Sequence, residues 1–205
     1  MTHTATLLQQ FPIISDQIKR PALEVVLGEL EKVLQVGTDG DVVELGCYIG
    51  TTSLFIRRLL NEYKSNKVFH AYDSFAGLPD KVTQDNSPVG ADFKAGELNV
   101  SKKQFLEQFQ KAHLQPPVTH KGWFNQLGDG DVPATVSFAF LDGDFYSSII
   151  DSLRLVYPRL QPGAVITIDD CAREALPGVD RAIRDFFQAK PYSLRVSHNI
   201  GVITL

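Results

Sequence analysis

The sequence predicts a doubly wound α/β fold, a mostly parallel sheet with helices on both faces and an antiparallel hairpin at its end. Three observations carry this. Short apolar runs alternate with longer amphipathic ones along the chain. The central apolar runs lack in-out alternation, which marks strands covered on both faces. Two strand-like runs close the chain, separated by a hairpin-length gap.

Residues 1–40 read as a helical N-terminal segment, within which 15–36 form an amphipathic helix or helix pair interrupted at Pro21. DVVELG (41–46) is a strand, followed by a glycine-bearing turn. The run 51–60 is a helix, with Leu54, Phe55, Leu59 and Leu60 on roughly one face. KVFHAYD (67–73) is the next strand and completes a βαβ unit. Residues 76–100 are polar, hold Pro79, Pro88 and three glycines, and follow neither a two-residue nor a 3.6-residue period. So long an irregular stretch, carrying Asp80, Asp85, Asp92 and Lys94, is expected to be a lid over a substrate. A helix over about 101–113, with Ser101 as N-cap, leads to a short strand at 118–121 and the very apolar strand VSFAFLD (136–142). A helix over about 147–160 is expected to stop at Gln161-Pro162-Gly163, and AVITIDD (164–170) is the next buried strand. Pro177 begins a helix to about 189, with Val179, Ile183, Phe186 and Phe187 at helical spacing. YSLRVS and GVITL then flank His198-Asn199-Ile200.

With 205 residues and 22.7 kDa, the chain is expected to be one domain, residues 1–205, with an elaborated loop. It is 43% apolar and 21% charged, enough to bury a sizeable core. Twenty Lys and Arg against 24 Asp and Glu leave a net charge of −4 with no dense basic run, so nucleic acid is not expected as a partner. The first residues lack a basic stretch ahead of an apolar one, and nowhere do 18 apolar residues run together. No membrane partner and a cytoplasmic location are expected. Cys47 and Cys171, the only cysteines, are too few for a disulfide scaffold or a thiolate zinc site and read as packing residues.

Open α/β sheets bind ligands beyond the carboxyl ends of their strands, and those positions here are rich in chemistry. The first strand runs into Glu44-Leu45-Gly46-Cys47-Tyr48-Ile49-Gly50-Thr51-Thr52-Ser53. Gly46 and Gly50 let backbone approach a ligand, and the helix start offers N–H groups to an anion. Their spacing is G-x-x-x-G, unlike the dinucleotide fingerprint. Asp73 ends the second strand, where a carboxylate can accept from both hydroxyls of a ribose or cap the next turn. Asp142 and Asp144 follow one central strand, Asp169 and Asp170 another. If those strands are neighbours, the carboxylates converge without a matching Lys or Arg nearby in sequence, and a bound hard cation offsets their repulsion. Oxygen-only ligands favour Mg2+, or Mn2+ or Ca2+, over zinc. Taken singly, Asp170 also suits a turn cap, and Asp144 a cap for the helix near Ser147.

Glu44-x-Gly46-x-x-x-Gly50, the strand-end Asp73 and Leu160-Gln161-Pro162-Gly163 before a buried strand together resemble class I S-adenosylmethionine-dependent methyltransferases. More narrowly, AYDSFAGLP, KGWF, FLDGDFYSS and ITIDD, in that order, are similar to the macrocin O-methyltransferase family, which methylates sugar hydroxyls in antibiotic biosynthesis. The resemblance spans roughly 41–187 and implies a Rossmann-like, seven-stranded sheet ending in an antiparallel hairpin. It implies Gly46, Tyr48 and Thr52 around the methionine end of S-adenosylmethionine, in the loop that also holds Glu44 and Gly50. It places Asp73 at the ribose and Ser74 with Trp123 near the adenine, although a lone Trp is also a common core residue. By the same resemblance Asp142, Asp169 and Asp170 hold Mg2+.

Catechol O-methyltransferases, which are similar, carry a lysine base three residues beyond the first metal ligand. Phe145 stands there, so a lysine route is not expected. Asp142 or Asp144 is instead expected to take the proton of a metal-bound hydroxyl. The expected acceptor is a small-molecule hydroxyl, most simply on a sugar or glycosylated natural product. Phe75, Phe93, Phe124, Phe145 and Tyr146 would alternatively suit a catechol-like ring, and Asp142-Gly143-Asp144 would suit a metal-dependent glycosyltransferase. A nicotinamide oxidoreductase fits the glycine spacing worse, and a binding protein without chemistry leaves the acidic set unexplained. A homodimer is expected by resemblance alone. His70, His113, His120 and His198 have no assigned role, with His120 nearest Trp123 in sequence.

Overall fold

In a computed structural model of the chain, residues 2–89 and 93–204 are described, which leaves Asp92 of the expected lid outside the described residues. Seven strands form one sheet: β1 (Asp41–Leu45), β2 (Phe69–Asp73), β3 (Val118–Lys121), β4 (Val136–Leu141), β5 (Leu160–Ile168), β6 (Ser193–Ser197) and β7 (Ile200–Thr204). Their order is β3-β2-β1-β4-β5-β7-β6. The first five pair in parallel, and β7 runs antiparallel to both β5 and β6. The chain winds outward from β1 to β2 and β3, then crosses back to β4 on the other side. This reversal makes the β1/β4 boundary the topological switch point.

Among the described residues six α-helices cover the sheet: α1 (His3–Gln10), α2 (Arg20–Val36), α3 (Thr51–Glu62), α4 (Lys102–Lys111), α5 (Tyr146–Val156) and α6 (Pro177–Phe187). Because strand side chains alternate, Val42, Phe138, Phe140 and Val202 face α1, α2 and α3 through Leu7, Leu27 and Phe55. Val43, Ala139, Leu141 and Ile166 face α5 and α6 through Ile149, Leu153, Val179 and Ile183. All six residues of β4 are buried, which explains its unbroken apolar sequence. A smaller cluster of Cys47, Leu54, Ala71, Phe105 and Phe109 seats α4. Ser101 caps α4 as expected, in a capping box with Gln104.

Four boundaries differ from the sequence expectations. Residues 3–10 form a helix of their own, whose first N–H groups, those of His3 and Thr4, donate to the Glu31 carboxylate on α2. Pro21 begins α2 instead of interrupting it, since the first turn of a helix leaves its N–H groups without intrahelical partners. Helix α5 ends at Val156, where Pro158 enters a one-turn 3-10 helix over Tyr157–Arg159. Gln161-Pro162-Gly163 then lies within β5. The sheet accepts it by a break in register: Val136 stands opposite Leu160, yet Phe138 stands opposite Val165. The closing turn is His198-Asn199 alone, both in the left-handed region at φ 50 and 65, so Ile200 belongs to β7. Among the described residues of 76–100, the regular structure is a 3-10 turn over Thr83–Asp85. No helix among the described residues is long and apolar enough to cross a membrane.

Truncating Phe138, fully buried at the centre of the sheet among the residues that face α2 and α3, leaves a cavity in that cluster. Phe138→Ala is expected to destabilise the protein by about 3–5 kcal/mol, read as a lower denaturant midpoint at unchanged slope.

Candidate functional site

The carboxyl ends of β2, β1, β4 and β5 finish flush. Leu45 stands opposite Leu141, and Leu141 opposite Ile168. One further rung continues each ladder past the strand ends: Gly46 N donates to Tyr72 O (2.9 Å), Asp142 N to Leu45 O (2.8 Å) and Asp169 N to Leu141 O (2.9 Å). Gly46, Asp73, Asp142 and Asp169 are thereby set along one rim, at the switch point. They line a cavity of about 990 Å³, its open mouth included, together with Tyr48, Ser74, Trp123, Asp144 and Asp170.

Gly46 has φ +96, and a Cβ there would sit 1.8 Å from the Asp142 carbonyl oxygen. Only glycine allows β1 to turn this close to β4. Asp73 ties the same turn to β2. Its Oδ2 accepts from the N–H groups of Cys47 and Tyr48, each at 3.0 Å, and its Oδ1 from Phe75 N–H at 2.8 Å. The turn-capping and cavity-facing readings of Asp73 therefore coexist, because one carboxylate does both.

Glu44, Gly50 and Thr52 sit behind this wall. Glu44 is buried at 1% exposure and accepts from the Ser53 hydroxyl, and burial pushes its carboxyl up to about 8, with the Asp73 charge adding to the effect. Gly50 begins α3 in the left-handed region at φ 93, with its Cα against Phe105. Thr52 is buried in the first turn of α3.

On the other side of the cavity the four aspartates come together. Burial first, and then one another's charges, hold the carboxyls of Asp142 and Asp144 well above the usual range, and Asp169 at about 7. Asp144 and Asp170 sit in the left-handed region at φ 59 and 58. A cation does stand among them, contrary to the expectation from sequence: Arg173 donates to Asp170 Oδ1 at 2.8 Å. Its position in the turn after β5 brings it back onto the pair. Asp144 does not cap α5, whose N-cap is Phe145. Among the described residues no three His, Cys, Asp or Glu side chains stand preassembled as a metal cage. The fit to a cation lies in donor chemistry: crowded, buried carboxylate oxygens with neither thiolate nor imidazole, a set suited to a hard divalent ion.

Trp123 is half-buried and faces the cavity instead of joining the core. Of the five aromatic residues considered for an acceptor ring, Phe93 and Phe124 line the cavity, while Phe75 and Phe145 are buried. Tyr146 turns its hydroxyl to Asp185 at 3.0 Å. His120 pairs with His70 across a 3.1 Å nitrogen contact and stacks on Tyr72. Sequence reasoning missed Gln17, Asn125, Ser147, Ser148, Asp151 and Arg173 in the cavity wall. Ser147 and Ser148 had a legible signal, since they open the helix that follows Asp142-Gly143-Asp144. Gln17 had none, being brought in by the irregular chain between α1 and α2.

Comparison with known proteins bears on the family and the fold. The model of the macrocin O-methyltransferase (TylF) family matches residues 17–198. The chain is 34% identical over 154 residues to the 8-demethyl-8-(2,3-dimethoxy-alpha-L-rhamnosyl)-tetracenomycin-C 4'-O-methyltransferase of Streptomyces olivaceus, covering 71% of this chain and 58% of that protein. It is 29% identical to the mycinamicin III 3''-O-methyltransferase of Micromonospora griseorubida, covering 77% of this chain and 64% of that protein. The chain thus spans about three fifths of the length of these curated relatives. In three dimensions it is similar to the O-methyltransferase NovP, with a TM-score of 0.75 at 24% identity over 91% of this chain and 80% of the other, a likeness of fold.

Two outcomes test the wall of this cavity. Gly46→Ala forces both a left-handed φ and a backbone clash, and is expected to cost at least about 2 kcal/mol in unfolding free energy. Glu44 has its folded value raised, so its contribution is complete below its ordinary range near 4.5 and is lost as pH rises through about 8. Between those limits the parent protein is expected to lose stability, and Glu44→Gln to lose less, in unfolding curves recorded at pH 5 and pH 8.5.

Proposed function

The chain belongs to the macrocin O-methyltransferase family, and on that premise we propose that it transfers a methyl group from S-adenosylmethionine to a hydroxyl of a small molecule, a sugar or a sugar-bearing natural product. The observation that carries this reading is the sharing of one cavity by two kinds of wall. Gly46, Tyr48, Asp73 and Trp123 line it together with the four aspartates, which supports a nucleoside-bearing donor beside a hydroxyl and a cation.

On the donor side, Asp73 already accepts three backbone N–H groups, so its orientation is set before a ribose arrives, and about one acceptor site on Oδ1 remains for a ribose hydroxyl. The half-buried Trp123 offers a flat apolar face to an adenine ring. On the acceptor side, Asp142, Asp169 and Asp170 would hold Mg2+, which supplies a Lewis acid that lowers the pKa of a bound hydroxyl. Asp144 neighbours them in the same cavity wall, where its carboxylate stands close enough to take that hydroxyl's proton. Phe145 occupies the lysine position of catechol-type enzymes, which leaves the proton to an aspartate. Ser147, Ser148, Asn125 and Asp151 add polar groups to the wall, and they suit a polyhydroxylated acceptor better than a bare ring. One curated relative is named for a rhamnosyl-bearing substrate, which supports the same class. Gly77, Leu78, Phe93 and Leu98 also line the cavity, which supports a covering role for segment 76–100.

Thermal unfolding with S-adenosylmethionine, NADH or a uridine-diphosphate sugar, each with and without Mg2+, tests the donor. At 100 times its dissociation constant the sulfonium cofactor alone is expected to raise Tm, by roughly 5–11 °C. A shift with the nucleotide sugar instead, requiring Mg2+, would hand the site to the Asp142-Gly143-Asp144 glycosyltransferase reading. Asp142→Asn and Asp144→Asn are each expected to lower methyl transfer by about 10²–10⁴-fold while leaving the donor's thermal shift in place. Undiminished turnover in both variants sinks the assignment of the proton to these carboxylates.

A further inference from the structure

Asp85 lies outside the cavity wall, in the polar segment that follows β2, yet it is buried at 3% exposure. Its Oδ1 accepts from the Tyr146 N–H at 2.7 Å and its Oδ2 from the Val82 N–H at 2.9 Å. Tyr146 is the first residue of α5, one of the helix-start N–H donors that need a partner from outside the helix. Phe145, at the N-cap, has a phenyl ring and no acceptor to offer. A carboxylate from 61 residues away fills that role, where the positive end of the helix dipole also favours it. Helix α6 makes room for it: a Cβ on Gly178 would lie 1.8 Å from Asp85 Oδ1 and 2.8 Å from Tyr146 N. Gly178 thus leaves the space in which the carboxylate reaches the helix end.

What this grip restrains is the acidic loop. Asp142-Gly143-Asp144-Phe145 is fixed in front by the Asp142 N–H on Leu45 O and behind by the Tyr146 N–H on Asp85. Between these two points Asp144 sits at φ 59, a conformation that costs energy for a non-glycine residue and persists only when its surroundings impose it. We propose that Asp85 is a positioning residue that, admitted by Gly178, pins the rear of the acidic loop and so sets where Asp142 and Asp144 stand in the cavity. This rests on the proposed function for its consequence in catalysis, but not for the pin itself. Groups one layer behind a cation site typically change its affinity by about 10–100-fold when removed.

The test uses the full chain and three variants, Asp85→Ala, Asp85→Asn and Gly178→Ala, with Asn86→Ala as an exposed neighbour. Hydrogen–deuterium exchange is followed in the peptide spanning 142–150, Mn2+ affinity by electron resonance titration, and S-adenosylmethionine affinity by calorimetry. Asp85→Ala and Gly178→Ala are each expected to speed exchange in that peptide and to weaken Mn2+ binding about tenfold or more. S-adenosylmethionine affinity is expected to stay within about twofold, because Asp73 and Gly46 are held by other bonds. The double variant is expected to be no worse than either single one, since both break the same contact. Asp85→Asn keeps an oxygen for Tyr146 N–H, loses the Val82 bond, and is expected to fall between parent and Asp85→Ala. Asn86→Ala is expected to match the parent. Unchanged exchange in 142–150, or additive losses in the double variant, overturns the pin. If Asp85→Ala does not fold, Asp85→Asn and Gly178→Ala carry the same comparison. If the parent binds no Mn2+, the cation side of the proposed function falls, and the exchange result alone decides whether Asp85 sets the loop.

Discussion

The flush parallel register of β2, β1, β4 and β5 is the constraint on which the rest of the site depends. Each parallel pair continues one hydrogen bond past its last strand residue, and those extra rungs hold Gly46, Asp142 and Asp169 at the same height. A slip of one residue in any pair would turn a rim carboxylate to the opposite face of the sheet. The double-sided burial of the central strands prevents this, since a slip would also exchange the apolar faces packed against α2 and α5. Core packing and site geometry are therefore one specification. The price is paid at Gly46, where no side chain fits between the two main chains.

Electrostatics explains why the two sides of the cavity are built so differently. On one side each Asp73 oxygen is met by backbone N–H, which fixes the orientation of the carboxylate. On the other side the aspartates meet mostly one another and a low-dielectric surrounding, with Arg173 as partial compensation at Asp170. The same residue type is thus a fixed acceptor in one place and a crowded, mutually repelling group in the other, through the partners that the fold supplies.

Much of this was legible in the sequence because the signals were local. A buried strand announces itself by an unbroken apolar run, as in β4, and Ser101 with Gln104 announces the start of α4. The positions after strand ends could be read once the strands were placed, which is how Asp73 and the four aspartates were found. What was not legible depends on contacts between distant segments. Gln17 enters the wall from the irregular chain between α1 and α2, where a helix was expected, and Asp85 serves a helix that starts 61 residues later. Pro162 was read as a stop signal because local rules treat Pro-Gly as a helix ending. A register break between β4 and β5 gives it a place inside a strand instead. Glu44 and Thr52, which the motif places in the glycine-bearing loop, are buried, a placement that follows from the packing of α3 against the sheet.

The pairing at the switch point also bears on how the chain reaches its folded form. Ser137 on β4 donates to the carbonyls of Gly40 and Asp41, 97 and 96 residues back. That contact closes the largest loop among the central strands, and the entropy of closure must be met before the contact returns anything. Until it forms, β1 and β4 are apolar strands with open edges on a nascent chain whose β2 and β3 already have a local partner. Closure over such a sequence separation slows folding, so the β1/β4 pairing at the site is also the slowest contact of the parallel core to form.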